Sequence, residues 1–394
     1  METGGLVHCD EISRDHRLLI EEVRRQLGHL FNDHFNTDFD ILRWLQGHNF
    51  NLAVVIPKLK LHLRVLGSFD IHKYKWNELM KDHFPFGVLG WTGKDNNLLM
   101  IDCTGRIDGE GVVRTIPLIE VLLTTICRAE TLALSEIRKR ETATGKQSGL
   151  IAVMDMEGMN NNSVSMIMNS YREFGIFLTH HYTETFQKML IVNAASYLYF
   201  MWKLVKPFLP ERTKGKIEIL GSDWKKELLK YVDADKLPVH WGGTMTDPDG
   251  DPMCRSRVIV PVKVPPSLYW KPSTDEPAKD ALTTLYIGAG KHEFVSIPVN
   301  DPGGMLKWYF FTEGDFSFGV YWTDDENEFD MDAMRMVYPH LTLVAPASRR
   351  PERSCIICDR AGVYRIRFGN EHAWIYRLKV MYKIKYEARD KTND

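Results

Sequence analysis

An uncharged run in the middle of the chain places the strongest limit on its fold. Lys188 and Lys203 bracket fourteen residues without a formal charge, and most of the fourteen are large and apolar. A helix that is apolar on nearly every side must be buried, or must face something apolar that is not protein. Fourteen residues are too few to span a bilayer, which takes about 20. The run therefore lies in a protein core or against an apolar ligand.

A basic segment follows this run directly. Residues 203–230 contain eight Lys or Arg residues and four acidic residues. An apolar element beside a basic surface is typical of a protein that meets an anionic membrane without entering it. Plain core packing remains the alternative, because buried strands and helices have the same composition.

The order of elements around the run is also informative. Residues 189–193 predict a buried strand, 196–206 predict a helix that Pro207 stops, and 216–220 predict a second short strand. An aromatic-rich helix is thus expected to link two strands of one sheet, with few charges on its outer face.

Length and composition set further bounds. A chain of 394 residues predicts two or three domains, and a net charge of −2 provides no global field for nucleic acid. Cys355 and Cys358 form the only close cysteine pair, whereas structural zinc needs four ligands, so no metal is expected. The first residues have neither a basic nor an apolar signal region, which predicts a cytoplasmic protein with reduced thiols.

The pattern along the chain predicts a multidomain protein with an α/β part and an all-β part. Apolar residues recur at helical spacing from 10 to 66. From about 80 to 243, buried strands at 98–102 and 150–155 alternate with helical patterns at 119–137 and 164–179. Further on, short alternating runs separated by turn signals predict a β-sandwich, with strands at 295–299, 306–311, 316–321, 363–368 and 375–386. The expected divisions are a helical segment at 1–75, an α/β domain at 76–243, a linker and first strand region at 244–280, and a sandwich at 281–388.

The second half of the α/β region contains a series of short motifs. They are Lys206-Pro-Phe-Leu209, Lys216-Ile217, Ile219-Leu-Gly221, Leu228-Leu229, Leu237-Pro238 and Gly242-Gly243, and the segment from Gly243 to Gly250 follows them. These motifs resemble the CRAL-TRIO lipid-binding family, which is the secretory phosphatidylinositol/phosphatidylcholine transfer family. The segment from Gly243 to Gly250 resembles the animal members with a C-terminal GOLD (Golgi dynamics) domain, the supernatant protein factor or tocopherol-associated group.

The resemblance implies a helical N-terminal segment, an α/β domain that encloses one lipid, and a GOLD-like β-sandwich. The ligand would be phosphatidylinositol or another apolar lipid, with Glu184 and Lys216 at its headgroup. The helix around 196–206 would be a mobile gate, and basic residues beside it would meet an anionic membrane. The gate residues are Tyr197, Phe200, Met201, Trp202, Leu204 and Val205, and the membrane-facing residues are Lys203, Lys206, Arg212 and Lys214.

Two departures from the family pattern affect the ligand. Gln46-Gly-His-Asn49 stands where the family usually has a basic run, so cationic contacts to a phosphate are missing or weakened. Ala195 stands where the family usually has Pro, which loosens the entry to the gate helix. Phosphatidylinositol and a less polar ligand therefore both remain open.

The sequence contains no hydrolase nucleophile motif, no glycine-rich phosphate loop followed by Lys-Ser/Thr, and no H-E-x-x-H metalloprotease motif. We therefore expect a lipid-binding and transfer protein rather than a lipid-modifying enzyme, in transient contact with membranes. The alternative is a lipid-sensing adaptor whose GOLD-like domain binds a protein partner in Golgi traffic or signalling.

Overall fold

The computed structural model describes residues 6–159, 181–206, 214–343 and 350–389. The α-helices are α1 (Arg14–Leu27), α2 (Asp38–Gly47), α3 (Leu52–Gly67), α4 (Met80–His83), α5 (Gly109–Thr115), α6 (Leu118–Arg128), α7 (Ser135–Thr144), α8 (Ser196–Val205) and α9 (Trp224–Leu228), and a π-helical turn (Ala129–Leu134) joins α6 to α7. The strands of the first half are β1 (Phe86–Trp91), β2 (Asn97–Asp102), β3 (Gly149–Asp155), β4 (Phe186–Val192), β5 (Ile217–Ile219) and β6 (Val258–Ile259). Those of the second half are β7 (Thr283–Ile287), β8 (His292–Val299), β9 (Met305–Thr312), β10 (Phe316–Thr323), β11 (Arg335–Leu343), β12 (Glu352–Ile357), β13 (Gly362–Gly369) and β14 (Leu378–Glu387).

The N-terminal helices begin at side-chain caps that the sequence supplies. Thr37 accepts a hydrogen bond from the Asp40 backbone, and Asp40 accepts one from the Thr37 backbone in return, which closes a capping box on α2. Asn51 caps α3, which contains Pro57 one and a half turns from its start. Since apolar residues of α1, α2 and α3 pack into one core cluster, the predicted helical N-terminal segment is present.

A six-stranded sheet forms the centre of the α/β domain, in the order β5-β4-β3-β2-β1-β6. The strands β2, β3, β4 and β5 run parallel, and β1 is antiparallel to both of its neighbours. Every residue of β3 is buried, as expected for a parallel strand covered on both faces. The mostly parallel α/β sheet therefore agrees with the sequence prediction.

The two faces of this sheet are covered differently. On one face, Ile101, Val153 and Leu190 pack against α9 and the following loop, where Leu237 and Trp241 are fully buried. On the other face, Met100 and Met154 point towards α5, α6 and the π-helical turn, and these elements enclose a cavity. One face is thus filled by protein and the other is not.

The C-terminal half is built from two four-stranded antiparallel sheets, β11-β10-β13-β8 and β12-β9-β14-β7. Apolar residues of both sheets, including Phe310, Phe318 and Phe368, meet in one buried core. This arrangement is consistent with the predicted β-sandwich.

The structure also differs from the sequence prediction in several places. The strands β7, β11 and β12 were not predicted, and β14 begins at Leu378 instead of Ile375. The segment interpreted as a linker contributes β6, and Val258 of that strand is buried against the α/β sheet. The helix predicted at 164–179 lies outside the described residues.

The sandwich holds the wall of the α/β cavity through two buried side chains. The carboxylate of Glu352, on β12, accepts hydrogen bonds from the backbone N–H of Leu118 at 2.7 Å and of Ile119 at 3.2 Å, the first residues of α6. The guanidinium of Arg350 donates to the carbonyl of Thr115, the last residue of α5. Side chains of the sandwich thus provide hydrogen-bond partners for two N–H groups at the start of α6 and for the last carbonyl of α5.

Glu352 makes this contact pH-dependent. Burial raises the pKa of Glu352 to about 7 from 4.5, although hydrogen bonds from Leu118 and Ile119 favour the ionised form. The folded state therefore binds more protons than the unfolded state between these two pH values, and stability is lost as the pH rises through that window. The contribution amounts to about 3 kcal/mol at most.

Glu352→Gln should remove this pH dependence. We expect the free energy of unfolding of the native chain, minus that of the variant, to decrease as the pH rises from 4.5 towards about 7 and then to level off. Urea unfolding of both proteins across this range provides the measurement. Parallel pH profiles would contradict a raised pKa of Glu352 in the folded protein.

Candidate functional site

A large apolar cavity lies between the central sheet and the helices α5 and α6. Its empty space amounts to about 1460 Å³, part of which opens to solvent. The described lining is mostly apolar and comes from four strands, two helices and the π-helical turn: it includes Phe86, Met100, Val112, Val121, Leu122, Ala133, Met154 and Phe186. The apolar lining suits an apolar ligand better than a polar metabolite.

Two charged residues interrupt the apolar lining. Asp102 stands at the end of β2 and Arg128 at the end of α6, and the two do not form a direct ion pair. Burial raises the pKa of Asp102 to about 7 against the attraction of Arg128, and burial lowers the pKa of Arg128 to about 10. The guanidinium lies over the rings of Trp76 and Phe86 and donates to the carbonyl of Met80.

A buried polar network closes one end of the cavity towards the N-terminal helices. The guanidinium of Arg138 bridges the carboxylates of Asp40 at 3.0 Å and Glu130 at 3.1 Å. Burial raises the pKa of Glu130 to about 7, and it also raises the pKa of Tyr182, which lines the cavity. Because these charges are paired, they hold the helical segment on the α/β domain without leaving an isolated buried charge.

The two predicted headgroup residues are brought together. The Nζ atom of Lys216 lies 2.6 Å from Oε2 of Glu184, and both side chains are largely buried. Glu184 adopts a positive φ of 56° in the turn before β4, and Lys216 directly precedes β5, which is parallel to β4. Their role at a headgroup stays a prediction.

The predicted gate helix is present as α8, between β4 and β5. Phe200 is 62% exposed, Tyr197 and Trp202 are half-buried, and the hydroxyl of Tyr199 donates to the carbonyl of Leu220. These three predicted gate side chains are not part of the described cavity lining. The side chains of Met201, Leu204 and Val205 lie outside the described part of the structure.

The predicted basic surface is partly described. Lys203 and Lys206 are exposed at the end of α8, and Lys214 is half-buried. Arg212 lies outside the described residues. Among those residues, no helix has both the length and the apolar composition required to cross a bilayer.

A second polar cluster lies at the carboxyl ends of the parallel strands. Asp155, at the end of β3, accepts hydrogen bonds from the indole of Trp241 at 3.0 Å and from the amide of Asn193 at 2.8 Å. Glu157 and His240 are close enough to complete a three-residue group with metal-ligating atoms. Since both oxygens of Asp155 already accept hydrogen bonds, the cluster fastens the loop around Trp241 to the sheet.

Sequence reasoning missed the residues that line the cavity. Ile119, Leu122, Leu123 and Ile126 were recognised as a helical apolar pattern, but that pattern does not separate residues that face protein from residues that face empty space. Asp102 and Arg128 carried a usable signal: each is a charged residue at the end of an otherwise apolar element.

Residues 81–243 match the family described as the CRAL/TRIO domain. The chain contains a CRAL-TRIO domain. Residues 268–393 match a second family, described as "F28H7_8_C:-like, C-terminal domain". The GOLD identity of this second domain stays a prediction.

Two curated relatives match most of the chain, and a third matches part of it. The CRAL-TRIO domain-containing protein F28H7.8 of Caenorhabditis elegans is 28% identical over 92% of this chain and 90% of its own length. Protein ctg-1 of the same organism is 24% identical over 90% of this chain and 92% of its own. The Sec14 cytosolic factor of Schizosaccharomyces pombe is 26% identical over 62% of this chain and 88% of its own.

The same substitution at two valines tests whether the CRAL-TRIO cavity has room for an additional side chain. Val121→Phe adds its ring to the cavity, whereas Val153→Phe adds it to the filled face of the sheet, where Val153 is fully buried. Overpacking a filled core costs about 1–3 kcal/mol, so Val153→Phe should lower the free energy of unfolding by that amount and Val121→Phe by clearly less. Urea unfolding measures both; equal losses would contradict an open cavity.

Proposed function

We propose that this protein binds one lipid in the CRAL-TRIO cavity and transfers it between membranes. The observation that carries the proposal is the apolar cavity on one face of the sheet, bounded by α5 and α6. An exposed acyl chain costs about 0.8 kcal/mol for each CH₂ group, so a protein that carries a lipid through water must enclose it. We propose binding and transport, without chemical conversion, as the activity.

The helix α8 is proposed as the gate of this cavity. It is aromatic-rich, connects two neighbouring strands of the sheet, and leaves Phe200 largely exposed. Opening at a membrane and closing over a bound lipid form a two-state change that contact with lipid would bias. The exposed cations Lys203 and Lys206 at the end of α8 support an approach to an anionic surface.

The proposed site of action is the cytoplasmic face of membranes, reached transiently. The support comes from relatives whose names describe cytosolic factors. Phosphatidylinositol is one proposed ligand, and a less polar lipid is the other.

Lipid transfer between vesicles tests the central proposal. The native chain should move a fluorescent phospholipid from donor to acceptor vesicles, whereas Val121→Phe should transfer it at least about tenfold more slowly because the ring occupies space that the lipid needs. A surface variant, Phe329→Ser, serves as the control and should keep the native rate. Equal rates for the native chain and the cavity variant would contradict the proposal.

Lys216→Ala tests the proposed headgroup contact. Loss of a charge-assisted hydrogen bond of about 1.5–3 kcal/mol should slow phosphatidylinositol transfer at least tenfold. Lys188→Ala is the matched control, because Lys188 forms a comparable ion pair with Glu218 on the same two strands. If the two variants transfer phosphatidylinositol equally fast, Lys216 does not contact the headgroup.

A lipid-sensing adaptor is the second candidate, and one contact favours it. Glu352 of the sandwich caps α6, whose residues Val121 and Leu122 line the cavity. A change in the cavity wall on lipid binding would therefore reach a domain that can bind a protein partner. This candidate predicts that lipid loading changes the protection of β12 from hydrogen exchange.

A further inference from the structure

Three consecutive large side chains are fully exposed at one end of the sandwich. Trp374 is 95% exposed, Ile375 79% and Tyr376 81%, in the loop between β13 and β14. We call these three residues the aromatic tip. Apolar side chains scattered singly over a surface need no explanation, but three adjacent ones mark a contact surface.

The loop that carries the aromatic tip is held firmly at its base. The buried amide of Asn370 donates to the carbonyl of Ile287 at 3.1 Å and to that of Tyr376 at 2.9 Å. The backbone N–H of Asn370 donates to the carbonyl of Lys291 at 2.8 Å. Because the base of the loop is tied to the neighbouring turn, the exposed position of the tip follows from the fold.

Unpaired positive charge surrounds the tip. Arg377 follows it directly, and Lys291 lies in the turn that is bonded to Asn370. Both side chains are exposed, and neither has an ion-pair partner within the described part of the chain. The one acidic residue of the loop, Glu371, is occupied by the buried guanidinium of Arg367.

We propose that the aromatic tip inserts into the interfacial zone of an anionic lipid bilayer, as a membrane contact separate from α8. Trp and Tyr favour this zone because their rings are apolar and their N–H and O–H groups remain hydrated. Arg377 and Lys291 then lie at the level of the anionic headgroups.

The size of the surface favours a bilayer over a protein partner. A stable protein interface buries about 800 Å² on each side and takes 20–30 residues. A protruding tip of three residues offers much less area, whereas a bilayer accepts a small convex element. The position also separates this contact from the cavity, since the tip belongs to the sandwich and the cavity to the CRAL-TRIO domain.

The test is flotation of the full-length protein with vesicles of phosphatidylcholine alone and of phosphatidylcholine mixed with phosphatidylserine. The triple-serine variant, Trp374→Ser/Ile375→Ser/Tyr376→Ser, should bind mixed vesicles at least about tenfold more weakly than the native chain. Arg377→Gln should weaken binding about fivefold on mixed vesicles and leave binding to phosphatidylcholine alone unchanged. All three tip residues are exposed, so thermal unfolding should not change.

Two controls define the alternatives. Ile357→Ser removes a 69% exposed apolar side chain at the opposite end of the sandwich and should bind vesicles like the native chain. Phe200→Ser tests α8, so loss of binding in that variant alone would assign membrane contact to the gate and overturn the tip proposal. Vesicle binding at the native level by the triple-serine variant would also overturn the tip proposal. If light scattering then shows that the same substitutions abolish a dimer, the tip is a self-association surface instead.

The vesicle test is independent of the cavity. Lipid retained by the purified triple-serine variant, measured by native mass spectrometry, reports on the proposed function. If the triple-serine variant loses vesicle binding but retains lipid, the result supports the membrane contact of the tip. If a protein binds vesicles but carries no lipid, the result contradicts the proposed lipid cavity and leaves the tip proposal standing.

Discussion

The central sheet must be covered on both faces, and the two faces are covered in different ways. This difference determines where the α/β domain has a filled core and where it has a cavity. Strands β2, β3 and β4 are parallel and almost continuously apolar, so neither face can be left to water. One face is filled by α9 and the loop that ends at Trp241, which Asp155 fastens by a hydrogen bond. The other face meets α5 and α6 across unfilled space. An apolar face without protein partners is most simply completed by an apolar ligand.

The sandwich takes part in this arrangement through the cavity wall. Glu352 and Arg350 satisfy backbone groups where α5 ends and α6 begins, and Arg64 of α3 donates to the carbonyls of Met331 and Met334 in the sandwich. The wall that faces the ligand is therefore shared between two domains. The state of the cavity and the state of the sandwich are energetically linked to the extent that these hydrogen bonds change.

Strand β3 was predicted because an uninterrupted apolar run, Leu150 to Met154, indicates burial on both faces. In the sandwich, the three strands that the sequence did not predict lie at sheet edges, although the edge strand β8 was predicted. Two of them, β7 and β12, are largely exposed, which weakens their apolar pattern. In β11, Pro339 also sits where the pairing with β10 is irregular, as proline in a sheet requires.

Spatial relations were harder to predict than elements. Glu184 and Lys216 were selected individually from a family resemblance, and only the parallel pairing of β4 with β5 brings them into contact. The cavity was inferred as a requirement for lipid transfer, yet its lining was not, because the periodicity of α6 is the same whether a leucine faces protein or empty space. Ile375 and Tyr376 of the aromatic tip were assigned to a strand, since isoleucine and tyrosine have high strand propensity whether or not they are covered.

Occupancy of the cavity is the central claim, and native mass spectrometry of the full-length protein tests it most directly. After incubation with phospholipid vesicles and removal of the vesicles, the native chain should carry one lipid as a mass adduct. Folded Val153→Phe should carry the same adduct, whereas Val121→Phe should carry none. A native chain without any lipid adduct, or a Val121→Phe variant with an undiminished one, would contradict the account.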